Sequence, residues 1–432
     1  MTGLIPVLWL CGPAGVGKST VSWQLFTELT QSGVPAAFAD TDQLCMCYPA
    51  PVGDPGRERI KAHNLDAVIA NYQAAGARCL IVNGVVDPLA GVLRELLPHA
   101  ALTVCRLRAD RGEIARRFAG RHGPSGDLNE VIADTLAEAD GLDASDFADV
   151  CVDTTDVPAP KVAALVRESC PDWPGFLVST SWRNDASAYP PAGPDPHNHA
   201  SDDLAGNIML MCGPTGVGKS TIGFELYLGT LRAGLMAGYV DLDQLAFIHP
   251  GSSDDPGHHR LKARNLTAIW QTYHAAGARR LVATGPVHDE AAFRCYADAL
   301  PSAAITLCRL HAGRAELTRR ILFRGAGGSW PQPGDPLRGQ PDAYLRQVAD
   351  QAAADAESLE RARFGWLRID TDGHTPAQAA ERIATTTGWP RQALTGARRP
   401  SALLRAPRSR VAETGMAELR ERYREGGRGV LQ

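Results

Sequence analysis

At 432 residues the chain exceeds what one ordinary hydrophobic core organises, so two domains of about 170–190 residues are expected. An apolar fraction of 44%, a charged fraction of 21% and a formal net charge of −4 exclude bulk attraction to nucleic acid or anionic lipid. The opening "MTGLIPVLWLCG" has no basic flank, and its apolar run is too short for a bilayer span or a signal sequence, so a cytoplasmic protein with no membrane partner is expected.

In chain order, the first half alternates short apolar runs with longer helical stretches. "IPVLWLC" precedes a helix from Lys18, "AAFAD" a helix through "RERIKAHNLDAVIANYQAAG", and "CLIVNG" the stretch "LAGVLRELLP". "ALTVCRL" is then followed by "RGEIARRFAG", and "DVCVD" by "PAPKVAALVRESC". Five buried strands joined by crossover helices predict an α/β fold, a five-stranded parallel sheet with helices on both faces and right-handed connections.

The chain then repeats itself. At an offset of 201, residues 54–86 align without gaps on 255–287, with 18 of 33 positions identical. At an offset of 203, "LTVCRLRADRGEIARRF" matches "ITLCRLHAGRAELTRRI", and at 217 "VCVDTTD" matches "LRIDTDG". A tandem duplication accounts for this pattern. It predicts one domain over 1–173, a flexible Pro/Ala/Ser/Asp-rich linker over 174–205, a second domain over 206–390 and a basic, disordered tail over 391–432. The second copy is longer by about 13 residues in "RGAGGSWPQPGDPLRGQPD", where the first reads "RHGPSGDL".

Residue usage marks the functional positions. Five lysines, Lys18, Lys61, Lys161, Lys219 and Lys262, stand against 39 arginines, and four of the five fall in matching pairs. The ten cysteines lack metal-site spacing; Cys45 and Cys47 in "LCMCY" read as buried thiols.

"GPAGVGKST" and "GPTGVGKST" fit G-x-x-x-x-G-K-[ST] between a strand and a helix, the context of a phosphate loop. Gly12, Pro13, Ala14, Gly15, Val16, Gly17, Lys18, Ser19 and Thr20 form the first nucleotide cradle. Gly213, Pro214, Thr215, Gly216, Val217, Gly218, Lys219, Ser220 and Thr221 form the second. Lys18 and Lys219 are expected to reach the β- and γ-phosphates of ATP, and Ser19 and Ser220 to place a hydroxyl on Mg²⁺.

After the second strands come "FADTDQL" and "YVDLDQL", which put Asp40 and Asp42, then Asp241 and Asp243, at the carboxyl ends where ligands bind. One carboxylate of each pair can serve the metal and the other can take an acceptor hydroxyl's proton. The third strands end in "IVNG" and "VATG" without an acidic residue, which favours a small kinase over a motor ATPase.

"GPTGVGKSTIG", "DLDQL", "LVATG", "LTRRI" and "IDTDG", in that order, resemble the shikimate kinase branch of the nucleoside monophosphate kinase-like P-loop phosphotransferases, with adenylylsulfate and gluconate kinases on the same plan. The resemblance implies that Asp40 and Asp241 help hold Mg²⁺ while Asp42 and Asp243 contact the acceptor. It implies that Arg117 and Arg320 pack by the adenine, that Arg121 and Arg324 approach the phosphates from the lid, and that Arg338 is a further lid residue. The Gly-Phe-Arg and triple-glycine signatures of shikimate kinases are missing, so an acceptor other than shikimate is expected.

Arg59, Lys61 and Asn64, with Arg260, Lys262 and Asn265, recur on the helix flanking the acceptor side and are the candidate contacts for a polyhydroxyl or anionic metabolite. His258, His259, His288 and His311 have no counterpart in the first copy and read as ordinary polar positions. The leading expectation is an ATP- and Mg²⁺-dependent small-molecule kinase. The alternative is a regulatory or nucleic-acid-linked ATPase in which occupancy switches a partner; the basic tail prompts it, but neither copy carries an aromatic stacking series.

Overall fold

The computed structural model describes residues 4–122, 128–174, 204–328 and 334–390, without side chains for 120–130. Most of the expected linker, and the whole of the tail after Pro390, lie outside the described residues.

The first half runs β1 (Ile5–Cys11), α1 (Lys18–Gln31), β2 (Ala36–Asp40), a single turn α2 (Thr41–Leu44), β3 (Cys47–Tyr48), α3 (Glu58–Ala74), β4 (Cys79–Asn83), β5 (Ala100–Arg108), α4 (Arg111–His122), α5 (Leu128–Asp143), β6 (Val150–Asp153) and α6 (Ala159–Ser169). The second runs β7 (Gly206–Cys212), α7 (Lys219–Arg232), β8 (Ala237–Asp241), a 3₁₀ turn at Leu242–Leu245, β9 (Phe247–His249), α8 (His259–Ala275), β10 (Arg280–Thr284) and α9 (Glu290–Ala299). It continues through β11 (Ala303–His311), α10 (Arg314–Gly325), α11 (Asp342–Arg361), β12 (Leu367–Asp370) and α12 (Pro376–Thr387).

Each half contributes parallel strands in the orders β6-β5-β1-β4-β2 and β12-β11-β7-β10-β8. Each sheet then gains a sixth strand, which the five-strand expectation missed, and that strand comes from the opposite half. β9 pairs antiparallel with β2, Phe38 opposite Phe247 and Ala36 opposite His249. β3 pairs antiparallel with β8, Cys47 opposite Gly238 and Tyr48 opposite Ala237. The exchange satisfies two edges whose open N–H and C=O groups would otherwise face solvent.

Side chains follow the exchange. Phe247 packs edge-on against Trp23 and Phe38 of the first half. Met46 and Tyr48 are buried among Tyr227, Ala237 and Tyr239 of the second. Between the sheets α3 lies against α8, and Leu65, Val68 and Tyr72 share one apolar core with Leu266, Ile269 and Tyr273. Polar groups seal the join: Asn71 Nδ2 donates to Asn265 Oδ1 at 2.9 Å, and Tyr273 Oη donates to the Leu44 carbonyl at 3.0 Å. The Tyr72 hydroxyl accepts the Phe247 N–H at 3.2 Å.

Two further differences from the sequence reading have local causes. "LAGVLRELLP" forms only a 3₁₀ turn at Arg94–Leu96, because Pro88 and Pro98 bound it and Gly91 sits at φ +62°. Its counterpart in the second half, with no interior glycine or proline, forms α9 under an Asp289 cap. Helices α5 and α11, which the strand–helix alternation did not anticipate, lead into the last strand of each half.

Candidate active site

Both glycine-rich loops open on a glycine at φ +141°, Gly12 and Gly213, where a Cβ would run into the backbone carbonyl of Leu107 or Leu310. Only glycine fits there, and the loop is held against the strand end next to it. Gly17 and Gly218 enter α1 and α7 in left-handed geometry, which aims the first helical N–H groups into the loop. Lys18 Nζ lies over this cradle, donating to the Gly12 and Pro13 carbonyls at 2.7 and 2.9 Å. Lys219 does the same with Gly213 and Pro214, at 2.9 and 3.0 Å.

Arg117 and Arg320 are fixed by their surroundings. Arg117 donates to the Val16 carbonyl of the phosphate loop at 3.1 Å and to the Thr154 carbonyl at 2.7 Å, while Glu113 pairs with its Nε. Arg320 repeats this on Val217, Thr371 and Glu316. Each guanidinium therefore ties the phosphate loop to the turn after the last strand. Thr154 and Thr371, inside the matched "VDTTD" and "IDTDG", are positions that motif reading left without a role.

The D-x-D turns sit at the mouth. Asp40 and Asp241 are buried and cap their turns, accepting the N–H of Asp42 and Asp243 at 2.9 and 3.1 Å. Asp42 and Asp243 are exposed. The supports of the inner carboxylates differ. Asn83, at the end of β4, donates to Asp40 Oδ2 at 2.9 Å and to Ser19 Oγ at 3.3 Å, so it bridges the two groups expected at the metal. In the second half Thr284 takes that place, and Ser220 Oγ donates directly to Asp241 Oδ2 at 2.7 Å. Asn83 was missed as a site residue; its place at the carboxyl end of a strand beside β1 was the available signal.

Burial, and then the neighbouring Asp42, push the Asp40 pKa up from 3.8 to about 7; burial and Asp243 push Asp241 up to about 6. A raised carboxyl is protonated in the folded chain where the unfolded chain is ionised, so stability falls as pH rises from its unfolded value through its folded one. Asp40→Asn should therefore raise the melting temperature of the ligand-free protein, and by more at about pH 8 than at about pH 5. An increment that is flat or shrinks with pH, read by thermal denaturation without nucleotide or divalent cation, goes against this account.

Among the described residues no three or more His, Cys, Asp or Glu side chains form a metal cluster. What each half offers is one serine hydroxyl and one buried carboxylate, hard oxygen donors that suit Mg²⁺ sharing its remaining sites with water and phosphate oxygens.

The acceptor flank departs most from expectation. Lys61 is buried and all three of its N–H donors are engaged, on both Glu58 oxygens at 2.9 and 3.1 Å and on the Val85 carbonyl at 2.8 Å. Burial opposes its charge, but Glu58 and nearby acidic groups more than offset that and raise its pKa. Lys262 donates instead to Asp243 Oδ1 at 3.1 Å. Asn64 and Asn265, expected to meet substrate, are fully buried and donate to the Leu44 and Leu245 carbonyls at 2.6 and 2.7 Å. They clamp the D-x-D turns. Arg59 and Arg260 are exposed.

Arg324 pairs with the buried carboxylate of Asp335 at 2.9 Å, and its charge is among those that act on Lys219. Arg338 is exposed, and Arg121 lies outside the residues whose side chains are described.

No family model matches the sequence, and no curated protein matches it. Solved structures similar to part of it include the Deinococcus radiodurans tunicamycin resistance protein, 22% identical over 42% of this chain and 96% of that one, with a TM-score of 0.28. A shikimate kinase from Acinetobacter baumannii in complex with shikimate is 19% identical over 40% of this chain and 96% of that one, TM-score 0.26. A gluconokinase from Sinorhizobium meliloti 1021 is 15% identical over 42% and 95%, TM-score 0.26. At these values the likeness carries no weight for activity. No described helix is long and apolar enough to cross a membrane.

Proposed function

We propose that the chain is a Mg²⁺-dependent kinase, a tandem duplication of a P-loop domain, that transfers the γ-phosphoryl group of ATP to a hydroxyl of a small polar acceptor at one or both sites. The carrying observation is that each half brings a loop lysine, a loop serine, a buried carboxylate and an exposed carboxylate to the same strand ends. Loop N–H groups and Lys18 or Lys219 hold the phosphates, and the lysine meets the charge that gathers toward the leaving phosphate. Asp42 or Asp243 takes the acceptor's proton while the acceptor oxygen bonds to phosphorus and the bond to the leaving phosphate breaks. Ser19 with Asp40, and Ser220 with Asp241, would hold Mg²⁺, which when bound neutralises phosphate oxygens. Arg324 helps a lid to exclude water, which would otherwise compete for the phosphoryl group.

β4 and β10 end in Asn83 and Thr284 rather than a carboxylate, which supports phosphoryl transfer over motor-type hydrolysis. The test is incubation with Mg·ATP and a pool of hydroxylated metabolites, followed by mass-spectrometric detection of new phosphate esters. ATP hydrolysis without any new ester would turn the reading toward the regulatory ATPase.

A further inference from the structure

The two acceptor flanks are built from matching elements but carry different charges. In the first half the N-terminal turn of α3 presents Glu58, which together with the Val85 carbonyl uses up Lys61. The outer carboxylate Asp42 feels the Lys61 charge but forms no direct ion pair with it, and accepts the Val85 N–H at 3.5 Å. In the second half His259 stands where Glu58 stands in the first, with its Nδ1 3.0 Å from the buried Tyr296 hydroxyl. Lys262 is thereby available to Asp243, at 3.1 Å.

A second imidazole joins it. Asp87 and Asp289 cap the segments after β4 and β10, and the second half carries one more residue between strand and cap, His288. Burial first, then the Lys219 charge, act on His288 to lower its pKa, and Asp355, Asp289 and Asp243 oppose them. Asp42, Glu58 and Lys61 sum to −1, with the neighbouring Arg57 guanidinium turned onto the Tyr48 ring and the Cys45 carbonyl, whereas Asp243 and Lys262 sum to zero beside imidazoles that include His258 and His259.

We propose that the two sites sort acceptors by charge: the first takes a hydroxyl compound bearing a protonated amine, the second one bearing an anionic group, with Glu58 and His259 as the determining residues. The proposal rests on the kinase reading for the word acceptor, but the charge difference stands without it. In the first site an ammonium group supplies Asp42 with the direct ion pair that Lys61, held by Glu58 and the Val85 carbonyl, does not make. In the second, an anion can draw Lys262 from Asp243 and accept imidazole N–H donors, which leaves Asp243 open to the acceptor hydroxyl. Burial first, then Lys262 or Lys219, holds both imidazoles below the ordinary histidine pKa, so they act as neutral donors until an anion arrives.

The experiment uses the full chain in two versions, Lys18→Ala and Lys219→Ala, each leaving one loop intact. Calorimetry with a non-hydrolysable ATP analogue and Mg²⁺ measures binding of an amino sugar, its neutral parent and the corresponding sugar acid. The expected result is a preference of about tenfold for the amino sugar at the first site and for the acid at the second. Glu58→His and His259→Glu should reverse these preferences; Glu58→Gln and His259→Gln should flatten them if the reciprocal variants fold poorly. Equal binding of all three probes, binding of none at either site, or preferences that ignore these substitutions overturn the proposal. Charge preference without phosphate ester formation leaves it standing and removes the kinase reading, so the two failures are distinguishable.

Discussion

Lys219→Ala and Lys18→Ala, made separately, should each lower phosphoryl transfer at their own site by about 100- to 1,000-fold, the scale for losing one preorganised donor at developing charge. Each ammonium lies 2.7–3.0 Å from two carbonyls of its loop, over the place where phosphate oxygens would sit. Arginine is abundant in this chain, yet the loop keeps lysine, a compact point charge on a flexible stem that the planar guanidinium cannot replace. With acceptors for both sites present, the residual rates of the two variants should add up to the unmodified rate. If neither substitution changes ester formation, the assignment of the loops to phosphoryl transfer is wrong.

The second large effect concerns the join between the halves. Tyr273→Ala removes a fully buried ring and the hydroxyl that holds the Leu44 carbonyl, so it should cost about 3–5 kcal/mol, the range for aromatic truncation in a core. The same join predicts that cutting the chain by protease between 175 and 203 leaves the halves together through gel filtration. The exchanged strands, the shared core of Leu65, Tyr72, Ile269 and Tyr273, and the Asn71–Asn265 bond hold them without the covalent link. In the cut protein, Tyr273→Ala should promote dissociation into halves. Free separation of the unmodified cut halves would contradict the exchange.

The parallel strands and loops were legible because their signals are local. A buried strand reads as a continuous apolar run, and a phosphate loop has fixed glycine spacing between strand and helix. The sixth strands were not legible. β3 is two residues and β9 three, too short for a period, and their pairing partners lie about 190 and about 210 residues away in sequence. The site shows the same division. Motif spacing singled out Lys18, Ser19, Asp40 and Asp42 as candidates, but Asn64 looked like a ligand contact because a recurring polar residue on a helix reads identically whether it meets a substrate or clamps a buried turn. Whether Lys61 faces Glu58 or Asp42 likewise depends on a competition among side chains that no linear pattern records.

The exchange also has a mechanical side. Asp40 ends β2 and Asp241 ends β8, and a few residues further on each chain segment becomes the edge strand laid against the other of these two strands. The inner carboxylate of each site is thus tethered to the frame that carries its counterpart. Any free energy with which a ligand at one D-x-D turn shifts its neighbouring edge strand is felt at the other turn, and thermodynamic reciprocity requires the influence to be equal in both directions. Paired titrations, ligand at one site with the other empty and then filled, should return a coupling factor different from one, the same whichever site is loaded first; a factor of one would exclude such a tether.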